Sequence, residues 1–458
     1  MTPPSLATRA AGALGVLLVG AWAYAGALAG PFQFDDYNVI VDNPQVHSLA
    51  AWWHSMPGIR PLLKLSYALN WAASPTAGAF HAVNLALHLA NALLAWAVAG
   101  QWLRALGPPH LPASAAWWVA LLFALHPAAT EAVTYISGRS VSLMALFYLA
   151  AMWCFNAGEA NGRRWLSRGV ATLLFGLALA VRETAVTLPA ALFLLAWYAG
   201  RSPREALRGL GPQGVLLAAA AVAAVAVGGY ERFLAYSLGT RGLGDQLLAQ
   251  TAAHAHLVGH SLVGLRTNLD PDLRVPASLD LASVLVIVGF AAAVVLAVAS
   301  RRRWPWLGFA ITWYALHLAP SNSLLPRFDL ANDRHLYLAL PGVAIALVVP
   351  LLARGWRPLG RGLLLALAVG LGLLSHRRNQ DWQSETALWQ ATVRASPAKA
   401  RPWVNLGWAR QQAGDAAGAR AAWECALRLD PAHPQAAINL SLSAAESTGP
   451  DARCPAGN

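Results

Sequence analysis

Long apolar runs without charged residues divide most of the chain, and charged residues stand between them. The first run lies between Arg9 and Asp35 and contains 25 residues. Since a helix rises about 1.5 Å per residue, about 20 apolar residues suffice to cross the hydrocarbon of a bilayer. The other runs are 65–103, 105–130, 140–158, 209–230, 281–300, 304–326, 335–353 and 362–376, with shorter ones at 169–181 and 184–200. The pattern predicts an all-α fold, a polytopic membrane helix bundle of about 11 transmembrane helices over residues 1–380.

Composition and charge agree with this prediction. Hydrophobic residues make up 57% of the chain and charged residues 12%, against about 25% charged in soluble proteins. The net charge of +12 does not indicate a nucleic-acid partner, because the arginines lie between apolar runs rather than on one basic face. With the N-terminus in the cytoplasm, the inner loops hold fourteen arginines and only two acidic residues. This asymmetry predicts an integral membrane protein with residues after 376 on the extracytoplasmic side. Arginine outnumbers lysine 31 to 2 and alanine is abundant, which suggests a bacterial genome rich in G and C, and so the bacterial inner membrane.

The run 246–265 has two interpretations. It is long enough to cross, but a crossing would move Arg301, Arg302 and Arg303 to the outer side and break the charge pattern. On a helical wheel its apolar and polar residues separate. One face holds Leu247, Leu248, Val258, Leu262 and Leu265, and the other holds Gln246, Gln250, His256, His260 and Ser261. We therefore favour an interfacial helix on the outer face over a crossing.

A repeat pattern follows the last apolar run. Residues 400–433 match the 34-residue helix-turn-helix (TPR) repeat, with Trp403, Leu406, Gly407, Ala419, Trp423, Ala426 and Pro431 at consensus offsets. Residues 383–396 and 434–445 predict a further helix on either side. We expect a TPR helical domain over 381–446 and a flexible tail at 447–458. So short a module could bind a peptide or protein, or cap the membrane domain, and the sequence favours neither.

Two adjacent carboxylates, Asp35 and Asp36, open the outer loop 31–80. They could simply be the solvated start of a loop, or charges that fix the topology. Alternatively, one could be a general base that takes a proton from an acceptor hydroxyl. Neighbouring carboxylates perturb each other, so only one would act easily. The pair could also hold a divalent cation, although the sequence shows no metal-ligand cluster and no metal site is assigned.

Polar residues also mark the second predicted helix and the outer ends of later ones. His81, Asn84, His88 and Asn91 share one helical face, which must lie against protein or a wet cavity because lipid does not solvate it. Hydrogen bonds between helices are favoured for His88 and Asn91. His81 and Asn84 lie nearer the outer surface and are candidates for a substrate pocket. The other pocket candidates are His126, Glu131, Glu183, His335 and Tyr337.

Several arginines lie on the predicted outer side, against the charge trend. Those at the outer ends of the later helices are Arg139, Arg182, Arg327 and Arg334. An arginine binds phosphate with two parallel hydrogen bonds, so several around one cavity would hold a lipid-linked phosphate. The alternative is that each reaches to a lipid headgroup.

Taken in order, these motifs resemble a known family. They are Phe-x-Phe-Asp-Asp-x-x-x-Ile-x-x-Asn-Pro from residue 32, Arg-Pro-Leu, Phe-His-x-x-Asn-x-x-x-His, Phe-Ala-x-His-Pro, Gly-Arg-Ser, a basic-Glu pair, Arg-x-Leu-Tyr-Leu and C-terminal repeats. The pattern is similar to that of the transmembrane-and-TPR (TMTC) proteins and their bacterial relatives, within the GT-C glycosyltransferases and beside the protein O-mannosyltransferases. It covers nearly the whole chain, and the first outer loop is its most specific part.

The resemblance implies an inverting GT-C glycosyltransferase. Such an enzyme would move a sugar, mannose in the family, from a polyprenyl-phosphate donor to a protein Ser/Thr or glycan hydroxyl outside the cytoplasm. Asp35 and Asp36 match the family's catalytic acidic pair, and Arg139, Arg182 and Arg334 match its basic positions. No cofactor beyond the lipid-linked donor is implied. The alternative is a non-enzymatic scaffold that presents the repeats to an envelope assembly.

Arg139 is ranked at least as high as Arg334 for the donor phosphate. It opens a predicted helix, whose N-terminus directs backbone N–H groups at an anion. Val141 follows where the family commonly has Asp, so no neighbouring carboxylate competes for Arg139. Arg334, in contrast, has Asp329 and Asp333 close in sequence.

Overall fold

The computed structural model describes residues 5–56, 58–226, 229–265, 267–353 and 355–443, so the predicted tail at 447–458 lies outside the described residues. Helices and turns make up this part of the chain, and it contains no β-strand, which confirms the all-α class. The α-helices are α1 Leu6–Tyr24, α2 Leu49–His54, α3 Pro61–Ala73, α4 Ala77–Leu106, α5 Ala115–Leu125, α6 Thr130–Val133, α7 Arg139–Asn161, α8 Arg164–Val181, α9 Leu188–Tyr198, α10 Pro203–Arg208, α11 Gly211–Ala226, α12 Gly229–Thr240, α13 Leu243–Val263, α14 Leu281–Arg303, α15 Pro305–Leu318, α16 Leu340–Leu351, α17 Arg357–Asp381, α18 Glu385–Ala395, α19 Ala400–Gln412, α20 Ala416–Leu429 and α21 Pro434–Ser443.

Among the described residues, six helices are long and apolar enough to cross a membrane. They are Leu6–Ala29, Ala77–Leu106, Ile136–Glu159, Arg164–Val181, Leu281–Arg303 and Arg357–Asp381. A seventh span results if Ala115–Leu125 and Pro127–Val133, which meet at 56°, are taken together. These helices support a membrane protein, but their number does not reach the predicted 11.

The difference in number arises because an uncharged run is not always one helix. The run 65–103 is interrupted after Ala73, and α4 begins only at Ala77. The run 105–130 bends at Pro127, whose ring cannot continue the helix before it. The runs 304–326 and 335–353 yield only α15 and α16, of 14 and 12 residues.

The polar stripe of α4 is buried inside the bundle. His81, Asn84, His88 and Asn91 are each at most 3% exposed. His88 Nδ1 lies 2.8 Å from the Tyr337 hydroxyl and His88 Nε2 lies 3.0 Å from the Ala124 carbonyl oxygen. Asn91 donates to the Ser142 carbonyl at 2.7 Å. These contacts fit the interhelical hydrogen bonding favoured for His88 and Asn91.

Helix α13, the ambiguous 246–265 segment, turns its polar face toward protein and its apolar face outward. Gln246 and His260 are buried, whereas Leu247 and Leu262 are each about half exposed. Gln246 donates to the Ser323 carbonyl at 2.8 Å, and His260 Nδ1 lies 2.8 Å from Asp333 Oδ1. An exposed apolar face suits contact with lipid, and the interfacial placement of α13 stays a prediction.

Helices α18 to α21 occupy the positions that the repeat pattern predicts, and each packs against the next. Trp403, Leu406 and Trp423 form part of the core between them. The Trp423 ring lies so close to Gly407 that a Cβ atom there would overlap it. A glycine at this position therefore lets α19 and α20 approach closely.

Candidate active site

A cavity of about 210 Å³ lies between the loop that follows α1, the segment before α16 and the C-terminal helices. Its lining is polar and charged, with three carboxylates and two guanidinium groups beside aromatic surface. The lining residues are Phe34, Asp35, Leu269, Asp270, Asp329, Asn332, Arg334, Trp389 and Arg401. A polar cavity with convergent charged groups is the arrangement expected of a binding or active site.

Asp35 is the member of the acidic pair that reaches this cavity. Its backbone N–H donates to the Tyr135 hydroxyl at 3.2 Å. The preceding residue, Phe34, has a positive φ of 52°, which is uncommon for a bulky side chain and stores strain in the backbone. Contacts with Trp389 and Glu385 hold Phe34 in this conformation.

Asp36 instead points into the protein and is 1% exposed. Its Oδ1 accepts hydrogen bonds from the Ser137 backbone and hydroxyl at 2.8 and 2.5 Å, and its Oδ2 accepts one from the Gln33 N–H at 3.0 Å. Burial raises the pKa of Asp36 to about 7, although these hydrogen bonds oppose the shift. Asp36 therefore anchors the loop to the turn before α7.

The raised pKa of Asp36 predicts a pH-dependent stability. A carboxyl with a raised folded-state pKa contributes most stability below its ordinary value of 3.8, and the contribution is lost as the pH rises toward 7. We expect the apparent melting temperature to fall more between about pH 5 and pH 7.5 in the natural protein than in Asp36→Asn. The exposed Asp42 provides the control, Asp42→Asn. Identical pH profiles for all three proteins would contradict this account of Asp36.

Arg334 reaches the same cavity from the segment before α16. Its Nη1 lies 3.2 Å from Glu131 Oε1, and its backbone N–H donates to Glu131 Oε2 at 3.1 Å. Burial alone would lower the pKa of Arg334, but the charge of Glu131, supported by Asp329 and Asp35, raises it. Arg334 thus stays fully charged at the cavity.

Three more arginines lie close to Arg334. The four together are called the arginine cluster, which consists of Arg60, Arg182, Arg327 and Arg334. Burial first, and then the charges of the other three, lower the pKa of Arg182 well below its ordinary value. Arg182 donates to the Ser140 hydroxyl at 2.7 Å. Glu183 binds Arg60, with Nη2 and Oε2 2.8 Å apart. Glu131 and Glu183 offset only part of the charge of these four arginines, and the remaining excess of positive charge favours an anionic ligand.

The C-terminal helices complete the cavity. Arg401 of α19 donates from Nε to Asp270 Oδ2 at 2.6 Å and from Nη2 to Asp329 Oδ1 at 2.6 Å. Lys399 forms a second ion pair with Asp270, which is 2% exposed. Trp389 of α18 adds an aromatic surface to the wall. These contacts attach α19 to the segments that precede α14 and α16 at the cavity.

Arg139 does not reach the cavity and is 0% exposed. It donates to Asn84 Oδ1 at 2.7 Å, Asn70 Oδ1 at 2.8 Å and the carbonyl oxygens of Phe80 and Ser66 at 3.0 and 3.2 Å. Its guanidinium also lies 5.0 Å from the ring centres of Tyr67 and Phe80. The geometry therefore favours Arg334 over Arg139 as the donor contact, against the sequence-based ranking.

Replacing Arg139 should damage the fold more than donor binding. Arg139→Met removes four hydrogen bonds and leaves buried acceptors unpaired, which we expect to cost about 3–5 kcal/mol of stability. The check is thermal unfolding in detergent, with Arg104→Met, at an exposed arginine, as the control. Unchanged stability together with a raised donor Michaelis constant would restore the sequence-based ranking.

Of the predicted pocket residues, the structure brings Glu131, Glu183 and His335 near the cavity or the arginine cluster. His335 Nδ1 lies 2.9 Å from Asn322 Oδ1, and burial with the charges of nearby arginines lowers the His335 pKa well below its ordinary value. The other four point into the bundle. They are His81, bound to the Gly30 carbonyl, Asn84, bound to Arg139, His126, bound to the Ser261 carbonyl, and Tyr337, bound to His88.

Sequence reasoning did not assign Arg60, Asp270, Trp389 or Arg401 to the site. Arg60 had one signal, since it begins the Arg-Pro-Leu motif in the first outer loop. It also adopts a positive φ of 53°, which the sequence does not show. No signal in the sequence pointed to Trp389 and Arg401, because a repeat pattern does not indicate which surface the repeats contact.

Comparison with known proteins gives sequence relatives but no structural ones. No family model and no solved structure matches the chain. Protein O-mannosyl-transferase F38B6.6 of Caenorhabditis elegans is 32% identical over 145 residues, which is 28% of this chain and 20% of the relative. Protein O-mannosyl-transferase Tmtc1 of Drosophila melanogaster is 37% identical over 129 residues, or 28% of this chain and 14% of the relative.

A third relative extends the matched region. Protein O-mannosyl-transferase TMTC3 of Mus musculus is 27% identical over 190 residues, which is 38% of this chain and 20% of the relative. The match therefore spans a fifth or less of the length of these three proteins. Over that part the chain is similar to the TMTC protein O-mannosyl-transferases, and the resemblance inferred from its motifs is confirmed.

Proposed function

We propose that this protein is a membrane glycosyltransferase that moves a sugar, mannose by analogy with the names of its relatives, from a polyprenyl-phosphate donor to a hydroxyl acceptor. The observation that carries the proposal is the cavity in which Asp35 and Arg334 meet beside the arginine cluster. A carboxylate for the acceptor and positive charge for the leaving phosphate are the two groups that such a transfer needs.

Asp35 is the proposed general base. It takes the proton of the acceptor hydroxyl, whose oxygen then attacks the anomeric carbon of the donor sugar. The bond between that carbon and the phosphate oxygen breaks, and polyprenyl phosphate leaves with the electron pair. Attack opposite the leaving group inverts the anomeric configuration. Asp36 is less suited to this role, because its oxygens already accept hydrogen bonds from Ser137 and Gln33.

The arginine cluster is proposed to hold the donor phosphate. Arg334 lines the cavity, and Arg327 makes no hydrogen bond or ion pair with a described residue. Guanidinium groups bind phosphate with geometry that lysine does not match. Charge that is fixed before the reaction stabilises the leaving group without a cost of reorganisation.

The finer architecture is also proposed. About 11 helices cross the bacterial inner membrane in a GT-C-like bundle, with the N-terminus in the cytoplasm. Helices α18 to α21 form TPR-type repeats on the extracytoplasmic side and cap the cavity, an arrangement supported by the contacts of Arg401 with Asp270 and Asp329. Protein Ser/Thr or glycan hydroxyls would enter beneath this cap.

A topology map tests the proposed orientation. Single cysteines introduced in 31–80 and in 382–443 should both react with a reagent that does not cross the membrane. The same reagent should spare a cysteine placed among Arg301, Arg302 and Arg303. Labelling of the loop but not of the C-terminal helices would place an odd number of crossings between them and overturn the orientation.

The activity itself is tested by glycopeptide mass spectrometry of the cell envelope. A strain that lacks the protein should lose hexose from Ser/Thr peptides or glycans, and the natural gene should restore it. The alternative, a non-enzymatic scaffold, requires neither Asp35 nor the arginine cluster. Full restoration by a gene that carries alanine at both Asp35 and Asp36 would favour the scaffold.

A further inference from the structure

His256 and His260 of α13 and Asp333 of the segment before α16 form a cluster outside the acidic pair. One ligand atom from each lies within 4.8 Å of the other two. His260 Nδ1 is 2.8 Å and His256 Nε2 is 4.0 Å from Asp333 Oδ1. From this arrangement we infer that the three side chains bind a zinc ion.

The spacing of the two histidines supports a metal site. Residues four apart in a helix lie on the same face, and the two imidazole ring centres are 3.9 Å apart. Ligand atoms around a tetrahedral zinc ion, each at about 2.0–2.1 Å, lie roughly 3.3 Å from one another. The distances of 2.8 and 4.0 Å from Asp333 Oδ1 to the two histidine nitrogens lie on either side of this value. Small side-chain rotations are therefore enough to form the site.

The hydrogen bonding of the cluster points the same way. His256 Nε2 is buried and has no hydrogen-bond partner, which is unusual for a polar atom unless a ligand satisfies it. Asp333 Oδ2 accepts from the Asn268 N–H at 3.4 Å, an outer contact that orients the carboxylate. Zinc usually takes a fourth ligand, which would be a water molecule here.

The chemistry of the ligands favours zinc over the hard cations. Two imidazole nitrogens and one carboxylate oxygen are a common ligand set for Zn²⁺, whereas Mg²⁺ and Ca²⁺ prefer oxygen alone. Bound zinc would tie α13 to the residue that precedes Arg334. The site is therefore placed to fix the position of Arg334 at the cavity wall.

Zinc binding to the full-length protein in detergent, with any affinity tag removed, tests this inference. After treatment with a chelator, the protein should take up about one Zn²⁺ per chain and melt at a higher temperature when zinc is added. Magnesium should have neither effect. His256→Ala should weaken zinc binding by about 100-fold or more and abolish the rise in melting temperature.

His254→Ala is the matched control, because His254 lies on the same helix but bonds the Asn322 carbonyl instead of the cluster. It should bind zinc like the natural protein. His256→Gln repeats the test with a side chain of similar size in case the alanine variant is poorly folded. The inference would be overturned if the natural protein took up no zinc, or if it bound zinc no more tightly than the His256 variants do. Neither readout depends on transferase activity.

Discussion

Asp35→Asn should reduce sugar transfer by about 100- to 10,000-fold, the usual contribution of a general base. The amide is similar in shape but cannot accept the proton of the acceptor hydroxyl. Apparent donor affinity should change little, because the loss falls on the chemical step. The measurement is transfer by purified protein from a polyprenyl-phosphate sugar, with the turnover number and the donor Michaelis constant determined separately.

Folding should change little, since the backbone N–H of residue 35 still donates to Tyr135 and the amide oxygen of asparagine can still accept from the Tyr135 hydroxyl. Asp42→Asn removes an exposed carboxylate from the same loop and should leave turnover unchanged. Near-normal turnover in Asp35→Asn would exclude Asp35 as the base and direct attention to Asp36.

Arg334→Met should weaken both donor binding and the fold. The fold suffers because the buried Glu131, whose side chain is 4% exposed, loses its ion-pair partner at a cost of about 3–5 kcal/mol. Donor binding suffers because a charge-assisted bond of about 1.5–3 kcal/mol is lost, which corresponds to a Michaelis constant raised roughly 10- to 150-fold.

A second substitution separates the two effects. In Arg334→Met with Glu131→Gln, the uncompensated charge is gone, so the melting temperature should largely recover while the donor Michaelis constant stays high. Arg274→Met, at an exposed arginine that does not line the cavity, is the control. If the double variant regains both stability and donor affinity, Arg334 has only a structural role.

Asp35 and Arg334 were predicted from the sequence because charged residues at the ends of apolar runs cannot lie in lipid and must serve some purpose there. Their proximity was not predicted, since almost three hundred residues separate them. The resemblance to a family supplied that link. The structure then adds what the motifs lack, namely which carboxylate of the pair reaches the cavity.

Arg139 shows why the other assignments could not be made. Its motif and its place at a helix start are those of an anion-binding residue. Its hydrogen-bond partners, Asn70, Asn84 and the Phe80 carbonyl, come from other helices, so a single chain segment does not reveal them. Likewise Arg401 enters the site only because the repeat helices pack on the loop that holds Asp270.

The number of long apolar helices could not be predicted from the uncharged runs for a related reason. An uncharged run measures hydrophobicity, but helix length also depends on proline and on polar turns such as the one between Ala73 and Ala77. The bend at Pro127 has the same cause. Because Glu131 follows that bend, the break in the helix also places a carboxylate beside Arg334.

The central claim is that the cavity transfers sugar from a lipid phosphate with Asp35 as the base. Its most direct test is incorporation of labelled mannose from polyprenyl-phosphate mannose into hydroxyl acceptors by the purified protein in liposomes. We predict incorporation by the natural protein and by Asp42→Asn, and none above protein-free liposomes by the variant with alanine at Asp35 and Asp36. Equal incorporation by that double variant and the natural protein would contradict the account.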